Sequence, residues 1–205
     1  MNSTADPLHL AWCSADAARY ACEHWHYSGA VPATHDMKVG VWEAGQFIGI
    51  VLFSRGSNRF IGAPYGLPMT EVCELTRVAL RQHKASVSRI VAIALRMLKR
   101  EAPGLRLVVS YADPGQGHVG GIYQAGNWLY VGRTEDSSAF FVNGVRIHHR
   151  KSGQDGWKPP AGTRIVVLPG KHKYLMPLDP AMRVQLLPLV KPFPKAADHV
   201  RAKQR

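Results

Sequence analysis

The sequence predicts an α/β fold in which one mixed β-sheet is flanked by helices. Its best-defined helix, residues 88–101, follows an alternating strand pattern at 71–80 and precedes a continuous apolar run at 105–110. A strand, a helix and a second strand in this order form a parallel crossover unit. With 205 residues, 46% hydrophobic and 20% charged, the chain is long enough to bury its own core, which excludes a wholly disordered protein.

The N-terminal part is predicted as a helix followed by a β-hairpin. Ser14 is a suitable N-cap, so the helix begins there and continues toward His26. Two extended runs at 39–42 and 47–53 are joined by a short turn that contains glycine, which favours a hairpin. The segment 54–68 is rich in Gly, Pro, Asn and Ser and is predicted as a loop.

The central segment contains the strand–helix–strand unit. Residues 71–80 are predicted as a strand, in which Glu74 and Arg77 lie on opposite faces because side chains alternate along a regular strand. In residues 88–101 apolar side chains recur at intervals of three and four, and a Pro-Gly pair ends the helix. Residues 105–110 are continuously apolar, as in a buried central strand.

The C-terminal part completes the predicted single sheet and ends in a basic segment. The remaining elements are a short helix and three strands, predicted at residues 118–125, 128–132, 139–142 and 164–168. From Lys191 onward the chain is basic and has almost no apolar periodicity. The sequence therefore predicts a single domain at 1–190 and a flexible basic tail at 191–205.

The charge balance predicts a polyanionic partner. Lys and Arg number 26 against 14 Asp and Glu, which gives a net charge of +12. The basic residues are spread along the chain and do not form one face of a membrane-surface helix, so double-stranded DNA is the expected partner. The candidate DNA-binding residues are Arg55, Arg59, Arg146, Arg150, Lys151, Lys171 and Lys173.

The sequence lacks the signals of a membrane or secreted protein. No apolar run approaches the ~18 residues that a membrane span needs. The first twelve residues contain an acidic side chain and a proline but no basic cluster, so a secretory signal is not predicted. A cytoplasmic location is therefore the expectation.

Four segments resemble a known family. They are His26-Tyr27-Ser28, the strand at 71–80, the helix opening at 87–90 and the long block at 110–128, which reads SYADPGQGHVGGIYQAGNW. Together they resemble the Mom family of phage DNA-modification proteins, which is part of the GNAT acyltransferase-like superfamily, over about residues 20–145. The resemblance implies a GNAT-like fold. It also implies an enzyme that converts adenine in duplex DNA to its N6-carbamoylmethyl form and so shields phage DNA from host restriction.

The resemblance also implies an active site. His26, Tyr27, Asp113 and Tyr123 match the positions that form the site in this family. The residue pattern agrees at one point, because Asp113 follows the predicted strand at 105–110 and open α/β sheets bind ligands beyond the carboxyl ends of their strands. Tyr27 and Tyr123 are expected to stack on, or donate hydrogen bonds to, an adenine extruded from the duplex.

Two further residues and a metal complete the predicted site. Arg77 is included as a residue that faces the cleft, and Ser110 as a hydrogen-bonding group near Asp113. The family points to iron, which imidazole and carboxylate ligands with open positions can hold. The predicted ligands are His26 and Asp113, with His24 or His118 as the third.

The resemblance to GNAT enzymes places an acyl-CoA site at the loop before the helix at 88–101. In GNAT enzymes that loop reads R/Q-x-x-G-x-G/A, and its backbone N–H groups hold pyrophosphate. Here Arg81 matches the first position, whereas Lys84 and Ser86 replace small residues and crowd the loop. The candidate residues for acetyl-CoA or a related acyl donor are Arg81, Lys84, Ser86, Val87 and Ser88.

Three functions remain open from the sequence. The leading one is an adenine-modifying transferase of the Mom type. The second is an N-acetyltransferase that uses acetyl-CoA on a small-molecule or protein amine, and the altered loop counts against it. The third is a non-enzymatic DNA-binding protein on a GNAT scaffold. The oligomeric state, a homodimer included, stays open, as does the donor of the carbamoylmethyl group.

Overall fold

The elements are taken from a computed structural model, which describes residues 8–34, 37–56, 58–147 and 159–195. The predicted α/β class is confirmed, and Ser14 caps the first helix through a hydrogen bond from the Ala17 amide. In chain order the elements are β1 (His9–Trp12), α1 (Ala15–Trp25), β2 (Met37–Glu43), β3 (Gln46–Ser54), β4 (Val72–Leu80), α2 (Val87–Glu101), β5 (Leu107–Ala112), α3 (Gly121–Ala125), β6 (Leu129–Arg133), β7 (Ser137–Val142), β8 (Val145–Ile147), β9 (Arg164–Leu168), β10 (His172–Pro177) and α4 (Pro180–Leu186).

A seven-stranded mixed sheet forms the centre of the fold, in the order β1-β2-β3-β4-β5-β10-β6. β4 and β5 are parallel and are connected by α2, as predicted, whereas the other pairs in this sheet are antiparallel. The prediction of one sheet is wrong, because β7, β8 and β9 form a separate three-stranded sheet. Alternation identified β7 and β9 as strands but carries no information about their partners. The strands β1, β8 and β10 were not predicted.

Helices cover both faces of the large sheet. Ile90, Ala94 and Leu98 of α2 are fully buried against one face. On the other face α1 packs on β3 and β4, and α4 packs on β5 and β10 through Met182 and Leu186. Burying each such aliphatic side chain is worth about 1.5–3 kcal/mol, so these contacts fix the sheet between two helical layers. The relation to the GNAT superfamily stays a prediction from the resemblance.

The large sheet divides between its two parallel strands. β4 and β5 pair only from Val72 with Leu107 to Glu74 with Val109, and beyond Glu74 they separate. Buried Ser110 bridges the division with its hydroxyl oxygen 2.8 Å from the carbonyl oxygen of Leu75. The carboxyl ends of the two strands therefore form the walls of a cleft.

A β-bulge in β4 lies at the mouth of this cleft. Leu52 pairs with Arg77 but the next residue of β3, Phe53, pairs with Leu75, so Thr76 is an extra residue in β4. A bulge of this kind changes the side-chain alternation. The prediction that Glu74 and Arg77 lie on opposite faces is therefore wrong, and both side chains line the cleft.

The first residues of the predicted basic tail lie against the large sheet. The amide of Lys191 donates to the carbonyl of Tyr130 at 2.8 Å, and the ring of Phe193 stacks near that of Tyr174. Residues 196–205 lie outside the described part of the chain, so the predicted domain boundary and the flexibility of the tail stay predictions. None of the helices in the described ranges is both long and apolar enough to cross a membrane.

A substitution at Gly120, which lies in the cleft wall just before α3, tests the packing of this wall. The φ of Gly120 is +82°, and a Cβ there would lie 2.3 Å from the ring of Tyr174, which is fully buried. We expect Gly120→Ala to lower the free energy of unfolding by at least about 2 kcal/mol, because the left-handed backbone and the overlap both cost energy. Gly121→Ala, one residue along, has open space and is the control in chemical denaturation. Equal stability of the two variants would contradict this packing.

Candidate active site

A pocket of about 610 Å³ opens where β4 and β5 separate. This volume lies in the ordinary range for small-ligand sites. The end of α1, the bulge of β4 and the segment between β5 and α3 each supply part of the lining. The polar and aromatic side chains that matter for chemistry are His26, Tyr27, Glu74, Arg77, His118 and Lys171.

His26 ends α1 and is held in one tautomer. Its Nδ1 accepts a hydrogen bond from the amide of Ser28 at 3.1 Å and lies 2.8 Å from the hydroxyl of the same serine. Because an amide can only donate, Nδ1 carries no hydrogen and the ring hydrogen is on Nε2. Burial lowers the pKa of His26 to about 4, with Arg77 and His118 acting in the same direction. His26 is therefore a neutral hydrogen-bond donor near pH 7.

Tyr27 presents an aromatic face at the pocket. Tyr27 is 54% exposed, and its ring contacts the imidazoles of His26 and His118, with 4.2 and 5.5 Å between the ring centroids. Burial raises the pKa of Tyr27, and the negative charge of Asp113 adds to the effect. A neutral, half-exposed phenol fixed by two imidazoles is a suitable surface for stacking a planar ligand.

Glu74 and Arg77 form a charged wall of the pocket. Burial raises the pKa of Glu74, while Lys171 and Arg77 oppose the shift. Arg77 donates from Nη1 to the carbonyl of Thr76 at 2.7 Å, and its Nε is buried with no hydrogen-bond partner among the described residues. Arg77 was predicted as a site residue, and the structure places it in the pocket.

Asp113 lies at the rim and does not line the pocket. Its Oδ1 accepts from the amide of Gly115 at 2.8 Å and so caps the 3₁₀ helix Pro114–Gln116. Its Oδ2 is 3.9 Å from Nζ of Lys171. The structure therefore gives Asp113 a role in shaping the turn and in holding Lys171 at the mouth of the pocket.

Ser110 and Tyr123 lie deeper, and their hydroxyls are engaged with each other. Ser110 is 1% exposed, and its hydroxyl oxygen is 2.8 Å from that of Tyr123. Since the single hydroxyl hydrogen of Ser110 must go to the carbonyl of Leu75, Tyr123 donates to Ser110. Burial raises the pKa of Tyr123 to about 12, which keeps it neutral. Ser110 does not line the pocket, whereas Tyr123 does.

The predicted DNA-binding residues are distributed over several surfaces. Lys171 lines the pocket, and Nζ of Lys173 lies 5.0 Å from the centroid of the Tyr65 ring. Burial lowers the pKa of Lys173. Arg55 and Arg59 are exposed on the loop after β3. Arg150, Lys151 and the side chain of Arg146 lie outside the described part of the structure.

Comparison with known proteins assigns the chain to a family. The model of the Mom protein family matches residues 7–195. The chain belongs to the Mom protein family. A relative, the methylcarbamoylase mom of Escherichia phage Mu, is 25% identical over 193 residues, which cover 87% of this chain and 80% of that protein. The resemblance on which the sequence analysis relied is thereby confirmed.

The iron expected for a Mom-type site does not fit this arrangement. Among the described residues no group of three or more His, Cys, Asp and Glu side chains is placed to hold a metal ion. Ligation through Nε2 of His26 would need a hydrogen on Nδ1, where the amide of Ser28 donates. One oxygen of Asp113 is committed to Gly115, and His24 does not line the pocket.

The pyrophosphate of an acyl-CoA does not fit the predicted loop either. Glu43, at the end of β2, accepts hydrogen bonds from the amides of Lys84 at 2.8 Å and Ala85 at 2.7 Å. These bonds lower the pKa of Glu43. Ser86 is the N-cap of α2, but its side chain makes no capping hydrogen bond. A carboxylate of the chain thus occupies backbone donors that the resemblance assigned to a phosphate.

The other residues predicted to bind acyl-CoA do not lie in the pocket, and one of them has another partner. Arg81 donates from Nη2 to the side-chain oxygen of Gln46 at 2.7 Å. Val87 and Ser88 are the first two residues of α2 and do not line the pocket. The structure therefore does not bring Arg81, Lys84, Ser86, Val87 and Ser88 together with His26 and Tyr27.

Sequence reasoning missed three contributors to the pocket. Glu74 was identified only as a residue of β4, Lys171 only as a DNA contact, and His118 only as an alternative metal ligand. The signal for Lys171 was weak, because β10 was not predicted and its position beside β5 was unknown. His118 follows Asp113 within the most distinctive block of the sequence, which could have placed it in the site.

The protonation of His26 gives a testable pH dependence. Its pKa in the folded chain, about 4, lies below the ~6.5 of an unfolded histidine, so the unfolded state binds more protons between these values. We expect the free energy of unfolding to fall as the pH is lowered from about 6.5 to 4. His26→Asn, whose side-chain oxygen can replace Nδ1 as acceptor, should lose less stability over this range. Parallel denaturation curves for the two proteins would contradict the assignment.

The occupied loop predicts how the chain responds to acetyl-CoA. Because Glu43 holds the amides of Lys84 and Ala85, adding acetyl-CoA should leave the NMR signals of these amides unchanged. Glu43→Ala should shift both signals and lower the melting temperature, whereas Glu135→Ala, at an exposed position, should do neither. Saturable changes at Lys84 and Ala85 in the unaltered chain would show that acetyl-CoA displaces Glu43.

Proposed function

We propose that the chain is a DNA-modifying enzyme that converts adenine in duplex DNA to N6-carbamoylmethyladenine. In this proposal it acts in the cytoplasm of an infected bacterium and protects phage DNA from host restriction. Membership of the Mom family and the name of the phage Mu relative support the reaction class. The observation that carries the proposal is a pocket in which the exposed ring of Tyr27 lies beside the charged side chains of Glu74 and Arg77.

The substrate base must leave the duplex to react. N6 of adenine lies on the pairing edge inside the duplex, and enzymes that act there extrude the base into a pocket. The pocket has the volume of a small-ligand site, and the exposed ring of Tyr27 provides a face for the extruded base. Stacking on such a ring is worth about 1–3 kcal/mol per base, which offsets part of the cost of unstacking.

His26 contributes a fixed hydrogen-bond donor to this step. Its Nε2–H is available while Nδ1 is occupied by Ser28, and its lowered pKa keeps it uncharged. A neutral imidazole whose accepting nitrogen is engaged can orient an oxygen or ring nitrogen of a substrate, but it cannot remove a proton from N6. His26 therefore positions the reacting groups.

The basic charge of the chain supplies affinity for the duplex. With a net charge of +12 the chain is attracted to DNA phosphates. Binding releases counterions from the DNA, and this release favours binding less at high salt, so the affinity should fall as the salt concentration rises. Lys171, at the mouth of the pocket, is placed to contact the backbone next to an extruded nucleotide. Asp113 holds this lysine in position.

The structure disfavours both alternative functions. An N-acetyltransferase needs acetyl-CoA, and the loop amides expected to hold it are taken by Glu43. A protein that only binds the duplex backbone does not need a pocket in which Nε of Arg77 is buried with no acceptor among the described residues. Such groups cost stability, and a catalytic site is one of the places where they occur.

Mass spectrometry of nucleosides tests the proposal. Plasmid DNA from cells that express the chain should contain deoxyadenosine heavier by one carbamoylmethyl group. Tyr27→Ala should reduce the modified fraction at least about fivefold through the loss of stacking. Tyr20→Ala removes an aromatic side chain of similar exposure outside the pocket and should leave the fraction unchanged. Unmodified deoxyadenosine in cells that contain abundant soluble chain would contradict the proposal.

A further inference from the structure

We propose that Glu74 and Arg77 read the pairing edge of the extruded base. In this arrangement the carboxylate of Glu74 accepts a hydrogen bond from the exocyclic amino group, and the guanidinium of Arg77 donates to the adjacent ring nitrogen. The inference rests on the proposed function and specifies how the pocket selects a base that carries an amino group.

The β-bulge places the two side chains together. In a regular strand residues three apart face opposite sides. The extra residue Thr76 removes this alternation, and both Glu74 and Arg77 line the pocket. The bulge is fixed from the neighbouring strand, because the hydroxyl of Thr76 donates to the carbonyl of Leu52 at 3.2 Å. The acceptor and the donor therefore lie on the same face of β4.

Glu74 has unused acceptor capacity. Within residues 8–34, 37–56, 58–147 and 159–195, no hydrogen-bond donor reaches its carboxylate and no cation lies within 4.0 Å of it. Neither oxygen of this carboxylate is among the buried polar atoms that lack a partner in the described residues, so the carboxylate is open to a ligand in the pocket. An amino group of a bound base can donate to it. Burial raises the pKa of Glu74, and the positive charges of Lys171 and Arg77 oppose the shift.

Arg77 has unused donor capacity in the same place. A guanidinium carries five N–H groups, and in the described part of the chain only Nη1 has a hydrogen bond, to the carbonyl of Thr76. Its Nε is buried without an acceptor. Nη2, by contrast, has no hydrogen bond among the described residues and is not shielded from solvent, so its N–H groups can donate to a ring nitrogen of a bound base.

Glu74 and Arg77 together complement the pairing edge of a base that carries an amino group and repel that of a base that carries a carbonyl. On its pairing edge adenine offers an N6–H donor beside the N1 acceptor, which complements a carboxylate beside a guanidinium. Hypoxanthine has the same size, but a carbonyl replaces the amino group and N1 carries a hydrogen, so both roles are reversed. A carbonyl opposite Glu74 and an N–H opposite Arg77 would each be repelled. Discrimination by one bidentate pair is worth about tenfold or more in affinity.

Binding to two duplexes that differ at a single base tests the inference. Each duplex carries one unpaired nucleotide opposite an abasic site, either deoxyadenosine or deoxyinosine. The full chain should bind the deoxyadenosine duplex at least about tenfold more tightly. Glu74→Gln should bring the ratio of the two affinities toward one. The amide can donate to the carbonyl of deoxyinosine as well as accept from the amino group of deoxyadenosine. Glu101→Gln, at an exposed site at the end of α2, is the matched control and should keep the original ratio.

A second variant covers the case in which Glu74→Gln does not fold. Arg77→Lys keeps the positive charge but loses the planar fork, so it should also reduce the ratio. An unchanged ratio in a folded variant of either residue, or equal binding of both duplexes by the unaltered chain, would overturn the inference. Nucleoside analysis separates this failure from that of the proposed function. Modified adenine with an unchanged ratio refutes only the inference, whereas discrimination without any modified adenine refutes only the reaction.

Discussion

The separation of β4 from β5 is the constraint on which the rest of the site depends. Two parallel strands that stay paired along their length leave no room between them, but here pairing ends at Glu74 and Val109. The gap is stabilised from within, because Ser110 satisfies the carbonyl of Leu75 that would otherwise lack a donor. The pocket is thus a consequence of main-chain geometry.

The electrostatics of the pocket follow from the same geometry. Side chains that line the pocket are partly removed from water, so burial favours their neutral forms. His26 responds with a pKa of about 4, and the pKa values of Tyr27 and Glu74 rise. The guanidinium of Arg77 lies among these groups. In the proposed function the pocket offers these donors and acceptors to a planar base, and the net positive charge of the chain attracts the DNA phosphates.

The sequence predicted the crossover unit and much of the pocket. Helix α2 and its two strands have strong periodicities, and His26, Tyr27 and Tyr123 lie in the pocket as the family resemblance implied. The pairing of Glu74 with Arg77 could not be predicted, because a bulge depends on register with a neighbouring strand and not on local pattern.

Two other features depend on contacts between residues far apart in the chain. Glu43 and the loop at Lys84 are separated by 41 residues, so no local motif shows that a carboxylate occupies the loop. Strand β10 was not predicted, because the lysines at 171 and 173 gave this segment the composition of a basic surface. Its apolar residues Tyr174 and Leu175 are fully buried in the sheet.

A crystal structure of the chain with a short duplex would show directly whether the cleft binds an extruded base. We expect that one adenine has left the base stack and lies in the cleft between β4 and β5, with its ring on Tyr27. Its N6 should be within about 3 Å of a carboxylate oxygen of Glu74. A duplex bound elsewhere on the basic surface, with every adenine stacked and the cleft empty, would contradict the account.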